Sequence, residues 1–220
     1  MQWIVVDGLS FVAGAGLPTV PVLPDWRRIA RAPWAKKVFL GLAGRFGEGE
    51  ARATVAELAS RSLALAFLPT PLNVVGWCFP VEVDPTWQEA TQLVGLLAPL
   101  PRPLWISVYD SANVGAATLA DWLTGWLPGD VGVFFQDGVG VHARTPATAR
   151  DYADALADRL GRDRLCIIVE AFRPLVGGGV RPAKAGDRQP EFAACVDYPI
   201  YLFNGPHFAG NRLIDEIASA

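Results

Sequence analysis

The chain has 220 residues, of which 51% are hydrophobic and 19% are charged. This composition is sufficient for one well-cored domain and excludes an intrinsically disordered chain. The formal net charge of -3 argues against a nucleic-acid partner, because surfaces that bind nucleic acid are normally basic. No segment reaches the ~20 apolar residues of a membrane-spanning helix, so we expect no membrane partner.

The first residues are typical of a strand rather than of a targeting segment. Residues 1–7 lack the basic region and long apolar core of a signal peptide. We therefore expect a cytoplasmic protein, although a signal peptide already removed would leave no trace.

Eight short apolar runs are predicted to be strands, and most are apolar throughout, as expected for strands covered on both faces. In chain order they are residues 3–6, 38–41, 63–67, 74–79, 104–109, 131–135, 165–169 and 200–203. Stripes with the helical period of 3.6 lie between or after them, at residues 87–97, 119–126, 152–160 and 213–217.

This alternation of strands and helices predicts parallel βαβ units. Eight units predict an α/β fold of the (β/α)8 TIM-barrel class, a single compact domain spanning residues 1–220 with irregular early strands. The alternative is an open doubly wound sheet. Its G-x-G-x-x-G fingerprint is absent as a clean match, and Gly14-Ala15-Gly16 is only a fragment of it.

Residues 173–189 form the one segment without a clear period, and they include three consecutive glycines at 177–179. The segment follows the predicted seventh strand, where a barrel keeps its site. We expect either a lid or substrate-gripping loop or an inserted loop without a role.

The three cysteines, Cys78, Cys166 and Cys195, lie far apart in the sequence. Their odd number and the absence of a C-x-x-C spacing argue against a disulfide framework and against a zinc site. They are predicted to be small buried hydrophobic residues. We predict no cofactor and no bound metal.

Polar residues follow most of the predicted strands, and in a barrel the strand ends surround one mouth. Glu82 follows the predicted fourth strand, Tyr109 and Asp110 end the fifth, Gln136 and Asp137 end the sixth, Glu170 ends the seventh, and Asn204 and His207 follow the eighth. Trp77 and Phe172 add aromatic faces on which a sugar ring can stack. These ten residues are the predicted site.

Glu82 and Glu170 are the predicted catalytic residues, because two facing carboxylates are the minimum needed to cleave a glycosidic bond. Structural alternatives remain open. Glu170 could pair with an arginine such as Arg173, and Pro80 could turn Glu82 outward. Asp110 and Asp137 could simply cap turns.

Four segments in order carry a family resemblance: Gly76-Trp77-Cys78-Phe79-Pro80-Val81-Glu82, Trp105-Ile106-Ser107-Val108-Tyr109, Phe135-Gln136-Asp137-Gly138-Val139-Gly140, and Val169-Glu170-Ala171-Phe172. Together they resemble an uncharacterised bacterial TIM-barrel domain family related to the clan A glycoside hydrolases. The resemblance covers residues 74–208. It implies a general acid/base after the fourth strand, at Glu82, and a nucleophile after the seventh, at Glu170.

Three functions follow as expectations. The first is a glycoside hydrolase acting on an oligo- or polysaccharide, with a retaining mechanism if the carboxyl groups lie about 5–5.5 Å apart and an inverting one at about 6.5–9.5 Å. The second is a barrel that binds carbohydrate without cleaving it, or an enzyme relic. The third is a metal-dependent lyase or hydrolase in which Asp7, Asp110, Asp137 and Glu170 hold magnesium. The sequence does not identify the sugar, the linkage or the oligomeric state.

Overall fold

A computed structural model describes residues 2–5, 26–31, 36–45, 47–67 and 69–203 of the chain. Within these residues the fold is mixed α/β. The strands are β1 Gln2–Val5, β2 Lys37–Gly41, β3 Val74–Val83, β4 Leu104–Val108, β5 Val131–Gln136, β6 Leu165–Glu170, β7 Phe172–Pro174, β8 Val180–Pro182 and β9 Ile200–Phe203. The helices are α1 Trp26–Arg31, α2 Glu48–Ala53, α3 Val55–Leu65, α4 Leu93–Leu97, α5 Ala116–Thr124, α6 Pro146–Leu160 and α7 Ala185–Ala194. No helix among the described residues is long and apolar enough to cross a membrane.

Seven strands form one sheet in the order β1-β2-β3-β4-β5-β6-β9, which is their order in the chain. The pairs β1–β2, β2–β3, β5–β6 and β6–β9 are parallel. This order lacks the reversal that defines a doubly wound sheet. A closed eight-stranded barrel is not confirmed, because β1 and β9 are the edges of the sheet among the residues that the structure describes.

The predicted third strand, residues 63–67, is wrong, because most of it is the last part of α3. Leu58, Ala59 and Ser62 are the buried residues of that helix, at helical spacing. The strand count changes as a result. Among the described strands, Glu82 lies on the third and Glu170 on the sixth, rather than on the fourth and seventh.

Two further segments differ from their predictions. Strand β3 continues through Pro80 to Val83, beyond the expected end at residue 79. The segment 173–189 is not an irregular loop: β7 and β8 pair antiparallel as a hairpin, and α7 follows. Gly177, Gly178 and Gly179 make the turn with φ values of 93°, 104° and 79°, a region that glycine enters without strain.

The chain divides into two compact units, which are described separately. Unit 1 consists of Met1–Val83, Trp87–Ser107 and Leu127–Gly132. Val38, Leu40 and Leu72 form one core cluster in it, and Trp77 packs against this cluster. Trp77 is therefore part of the packing of unit 1.

Unit 2 consists of Asp84–Thr86, Val108–Trp126 and Val133–Ala220. All six residues of β6 are buried, and the Phe135 ring stacks on the Tyr152 ring of α6 at 5.5 Å. Helix α6 begins with a capped first turn: the Thr145 side chain accepts a hydrogen bond from Thr148 N–H, and Pro146 occupies the first turn. The single-domain expectation for residues 1–220 stays a prediction.

Candidate active site

Unit 2 holds three of the predicted acids at the carboxyl ends of its strands. Asp110 lies two residues past β4, Asp137 follows β5 directly, and Glu170 is the last residue of β6. The Asp137 N–H donates to the Ile168 carbonyl at 3.0 Å, which extends the β5–β6 register to the site. Asp137 and Glu170 thus come from neighbouring parallel strands.

Glu170 is only 4% exposed. Its Oε2 accepts a hydrogen bond from Val141 N–H at 2.9 Å, and Gly140 N–H is a second backbone donor. Burial raises the pKa of Glu170, and the charge of Glu191 adds to that effect, while the backbone N–H donors and Arg173 oppose it. The net shift is upward, so the protonated form is favoured relative to an exposed glutamate.

The close approach of the Glu170 side chain requires a glycine at position 140. A Cβ on Gly140 would lie 2.3 Å from the Glu170 Cβ and 2.6 Å from its Oε2. No larger residue fits there without moving the loop, which accounts for the second glycine of the Gln136-Asp137-Gly138-Val139-Gly140 segment.

Asp137 is fully buried. Its Oδ1 accepts from Val139 N–H at 3.1 Å, so the turn-capping alternative is realised. Its Oδ2 accepts no hydrogen bond from any residue in the described part of the chain. Burial raises the pKa of Asp137 well above its usual value, and the nearby charges of Glu191 and Glu170 raise it further. A carboxyl in this position is stable mainly in its neutral form.

Arg173 and Glu191 form a buried ion pair beside these acids, with 2.7 Å between Nη2 and Oε2. Arg173 also donates to the backbone carbonyl of Glu170 at 3.1 Å. The sequence left open that the Glu170 carboxylate pairs with Arg173. In the structure Arg173 instead bonds the backbone carbonyl of Glu170 and pairs with the carboxylate of Glu191. Burial, opposed by Arg173, raises the pKa of Glu191.

Arg144 ties the strand ends together through backbone carbonyls. Its Nη2 donates to the Asp110 carbonyl, and its Nη1 donates to the carbonyls of Asp137 at 3.1 Å and Gln136 at 3.5 Å. Its guanidinium carbon also lies 4.7 Å from the Tyr152 ring centroid and 5.2 Å from that of Tyr109. Tyr109, predicted to contact substrate, contacts this arginine.

The remaining predicted residues of unit 2 have structural contacts or lie outside the described part. The buried Asp110 carboxylate accepts from the Tyr152 hydroxyl at 2.7 Å. The half-buried Phe172 ring lies 6.3 Å from the Phe203 ring. Asn204 and His207 lie outside the described residues.

A cleft of about 1060 Å³ lies in unit 2. Its walls come from the loop after β4, the loop between β5 and α6, the first turns of α6, the β7–β8 hairpin and α7. Arg144 and Arg173 line it, whereas Asp137 and Glu170 are not among its lining residues. The cleft is therefore lined by the arginines that contact the backbone of these acids and not by the acids themselves.

Glu82 belongs to unit 1 and has different partners. Its N–H donates to Glu48 Oε2 at 3.1 Å, and its Oε1 lies 3.8 Å from Arg52 Nη2. Arg52 also donates twice to the Glu82 carbonyl and lies 5.4 Å from the Trp87 ring centroid. Burial first, and then the charge of Glu82, raise the pKa of Glu48 to about 7.

The strand-end reasoning missed four residues: Asp84, Arg144, Glu48 and Glu191. Asp84 follows β3 directly and is buried. Burial raises the pKa of Asp84, but hydrogen bonds from Thr86 and Ser111 outweigh it and leave the pKa below its usual value. Extending β3 past Pro80 would have brought Asp84 into the set of strand-end acids.

No group of three or more His, Cys, Asp or Glu side chains in the described residues is arranged to hold a metal ion. Asp7, one of the four predicted magnesium ligands, lies outside those residues. All three cysteines are described, and they are buried and unpaired, as predicted.

Comparisons of the chain with protein-family models, with curated proteins and with solved structures found no match.

Proposed function

We propose that the chain hydrolyses a glycosidic bond and that Glu170 of unit 2 supplies the proton to the leaving oxygen. The observation that carries the proposal is the Glu170 carboxyl itself, nearly buried at the carboxyl end of a parallel strand and bonded to Val141 N–H. Strand ends of this kind are where α/β folds bind ligands. The resemblance around Glu170 supports the same reaction class.

Glu170 is assigned the proton-donor role rather than the nucleophile role that the resemblance implies. A general acid must hold its proton near neutral pH, and burial raises the pKa of Glu170 in that direction. Asp137 interacts with Glu170 electrostatically. The charge of Glu170 raises the pKa of Asp137, so ionisation of Glu170 makes ionisation of Asp137 less favourable.

Glu82 keeps its catalytic role only as a prediction from the sequence. It lies in unit 1, where its Oε1 is 3.8 Å from Arg52 Nη2. A variant at this position belongs in the same screen for that reason.

One observation favours the second candidate function, a barrel that binds carbohydrate without cleaving it. Glu170 and Asp137 are absent from the lining of the cleft in unit 2. If the cleft holds the ligand, these acids do not line its binding site. The magnesium-dependent alternative stays a prediction.

The test is a glycan-library hydrolysis screen of the wild type, Glu170→Gln, Glu82→Gln and the control Glu89→Gln. Glu89 is an exposed glutamate with no side-chain partner among the described residues. Loss of the general acid should lower kcat/KM by about 10²–10⁴-fold, with the control unchanged. Equal activity of Glu170→Gln and wild type would rule out the assignment, and an inert wild type that binds glycans would favour the second candidate.

A further inference from the structure

Arg144 differs from Arg173, another buried arginine of unit 2, in having no ion-pair partner in the part of the chain that the structure describes. Arg144 is 7% exposed and Arg173 is 4% exposed, yet only Arg173 pairs with a carboxylate, that of Glu191. Arg144 makes no ion pair within the described residues, and its buried Nε has no acceptor there. Arg144 contacts only the backbone carbonyl of Asp110. The Asp110 carboxylate accepts a hydrogen bond from the Tyr152 hydroxyl instead.

A buried guanidinium is always charged, and buried charges in proteins are normally paired. The carbonyls and rings around Arg144 solvate the guanidinium but do not neutralise it. Because the surroundings have a low dielectric constant, its potential extends into the cleft that it lines.

The same cleft receives a second positive field. Thr145, Pro146 and Thr148 line it, and they form the start of the 15-residue helix α6. The N-terminus of a helix carries a partial positive charge and attracts anions. Arg181, half exposed and paired with Asp187, also lines the cleft.

We propose that the cleft of unit 2 binds an oxyanion, a carboxylate or a phosphate group, held by the field of Arg144 and the first turn of α6. This site stands without any hydrolytic activity. That the anion is carried by a sugar, as in a sugar acid or a sugar phosphate, rests on the proposed function.

Among the described residues, two acids line the cleft: Asp187, which is paired with Arg181, and Asp151, whose charge opposes the anion and provides a test of sign. Asp151 lines the cleft and is exposed. Asp151→Asn removes a negative charge without disturbing the core, so it should tighten anion binding about two- to fivefold, in the range of exposed charge interactions.

The experiment measures binding to the full chain by calorimetry with four probes: glucuronate, glucose 6-phosphate, inorganic phosphate and neutral glucose. We expect the three anions to bind at least about tenfold more tightly than glucose, with affinity falling as salt rises. Comparing the affinity for glucuronate with the affinities for the two phosphates distinguishes a carboxylate ligand from a phosphate ligand. Equal binding of glucose and the anions would overturn the proposal.

The variants locate the site. Arg144→Gln should weaken anion binding about 10- to 100-fold, the range for hydrogen-bonded charged groups, and Arg159→Gln on the exposed side of α6 should not. Arg144→Gln also removes internal hydrogen bonds, so Thr148→Glu provides an independent variant. A glutamate at this first-turn position suits the helix but repels an anion.

Ala147→Glu is the matched control for Thr148→Glu, because Ala147 is exposed, lies in the same turn and does not line the cleft. Thr148→Glu should weaken anion binding clearly more than Ala147→Glu. Equal effects of the two variants would contradict the site. Anion binding without glycan hydrolysis would reject the proposed function alone, and hydrolysis without anion binding would reject this site alone.

Discussion

Glu82 of unit 1 and Glu170 of unit 2 both lie at or near the carboxyl end of a parallel strand, yet their surroundings differ. The Glu82 side chain is 20% exposed and lies beside the charged Arg52. The Glu170 side chain is nearly buried and accepts from backbone N–H groups. A strand end thus fixes where an acid is placed, and the neighbouring loop or helix decides which groups it contacts and how far it is buried.

The largest expected effect tests the close packing on Glu170. Gly140→Ala should lower the free energy of unfolding by about 1–3 kcal/mol, because the new Cβ collides with the Glu170 side chain. Urea unfolding measures the loss, and faster amide exchange at Val141 N–H would locate it. Gly186→Ala is the control, since a Cβ there meets no atom within 4 Å. Similar stability of the two variants would contradict the packing argument.

The second prediction tests the neutral state of Asp137. Above its usual pKa of 3.8 the unfolded chain releases this proton, while the folded protein keeps it until its raised pKa is reached. Wild-type stability should therefore fall as pH rises through that interval, by on the order of 1 kcal/mol per pH unit. Asp137→Asn should remove this part of the slope, so its stability relative to the wild type should increase as pH rises above 3.8.

The control for Asp137→Asn is Asp158→Asn, an exposed aspartate of α6 in the same unit. Its unfolding free energy should follow the wild type at each pH. A constant difference between Asp137→Asn and the wild type across pH would show that the buried carboxyl does not retain its proton.

A smaller effect is expected from Arg52 in unit 1. Arg52→Gln removes two hydrogen bonds to the Glu82 carbonyl and the 3.8 Å ion pair. Because these groups are partly solvated, we expect a loss of about 1 kcal/mol in urea unfolding. Arg61→Gln, which loses only an exposed pair with Glu57, should change stability by a few tenths of that. An equal loss of unfolding free energy in Arg52→Gln and Arg61→Gln would mean that Arg52 stabilises the fold no more than an exposed surface arginine does.

The smallest effect concerns Glu48, whose pKa of about 7 lies above its usual 4.5. Its contribution to stability is complete below pH 4.5 and is lost as pH rises to 7. In Glu48→Gln the unfolding free energy should fall less between pH 4.5 and pH 7 than in the wild type. The difference should be below about 1 kcal/mol, since the group is partly solvated. Thermal unfolding at pH 4.5, 6 and 7.5 measures it against Glu89→Gln. An unchanged slope in Glu48→Gln would assign the pH dependence to other groups.

Seven of the eight predicted strands are present, because short runs rich in β-branched and aromatic residues strongly favour a strand. Residues 63–67 failed because a short apolar run without β-branched residues also fits the face of a helix. Strand β3 was cut short because proline usually ends a strand, and here Pro80 is accommodated within it.

The positions of Asp137 and Glu170 after their strands were predictable, because strand ends carry a direct sequence signal. The position of Glu191, the ion-pair partner of Arg173, was not predictable, since Glu191 lies in α7, more than 20 residues after Glu170. Arg144 was missed for a related reason. Its role depends on carbonyls of two strand ends, and backbone acceptors leave no pattern in the sequence.

The three buried cysteines offer a direct readout of how the chain opens. Cys78 lies in β3 of unit 1, while Cys166 and Cys195 lie in unit 2. Burial raises the pKa of each thiol to about 12, so alkylating reagents should react with them only after the surrounding structure opens. Labelling followed site by site would therefore tell whether the two units unfold as one cooperative domain or one after the other.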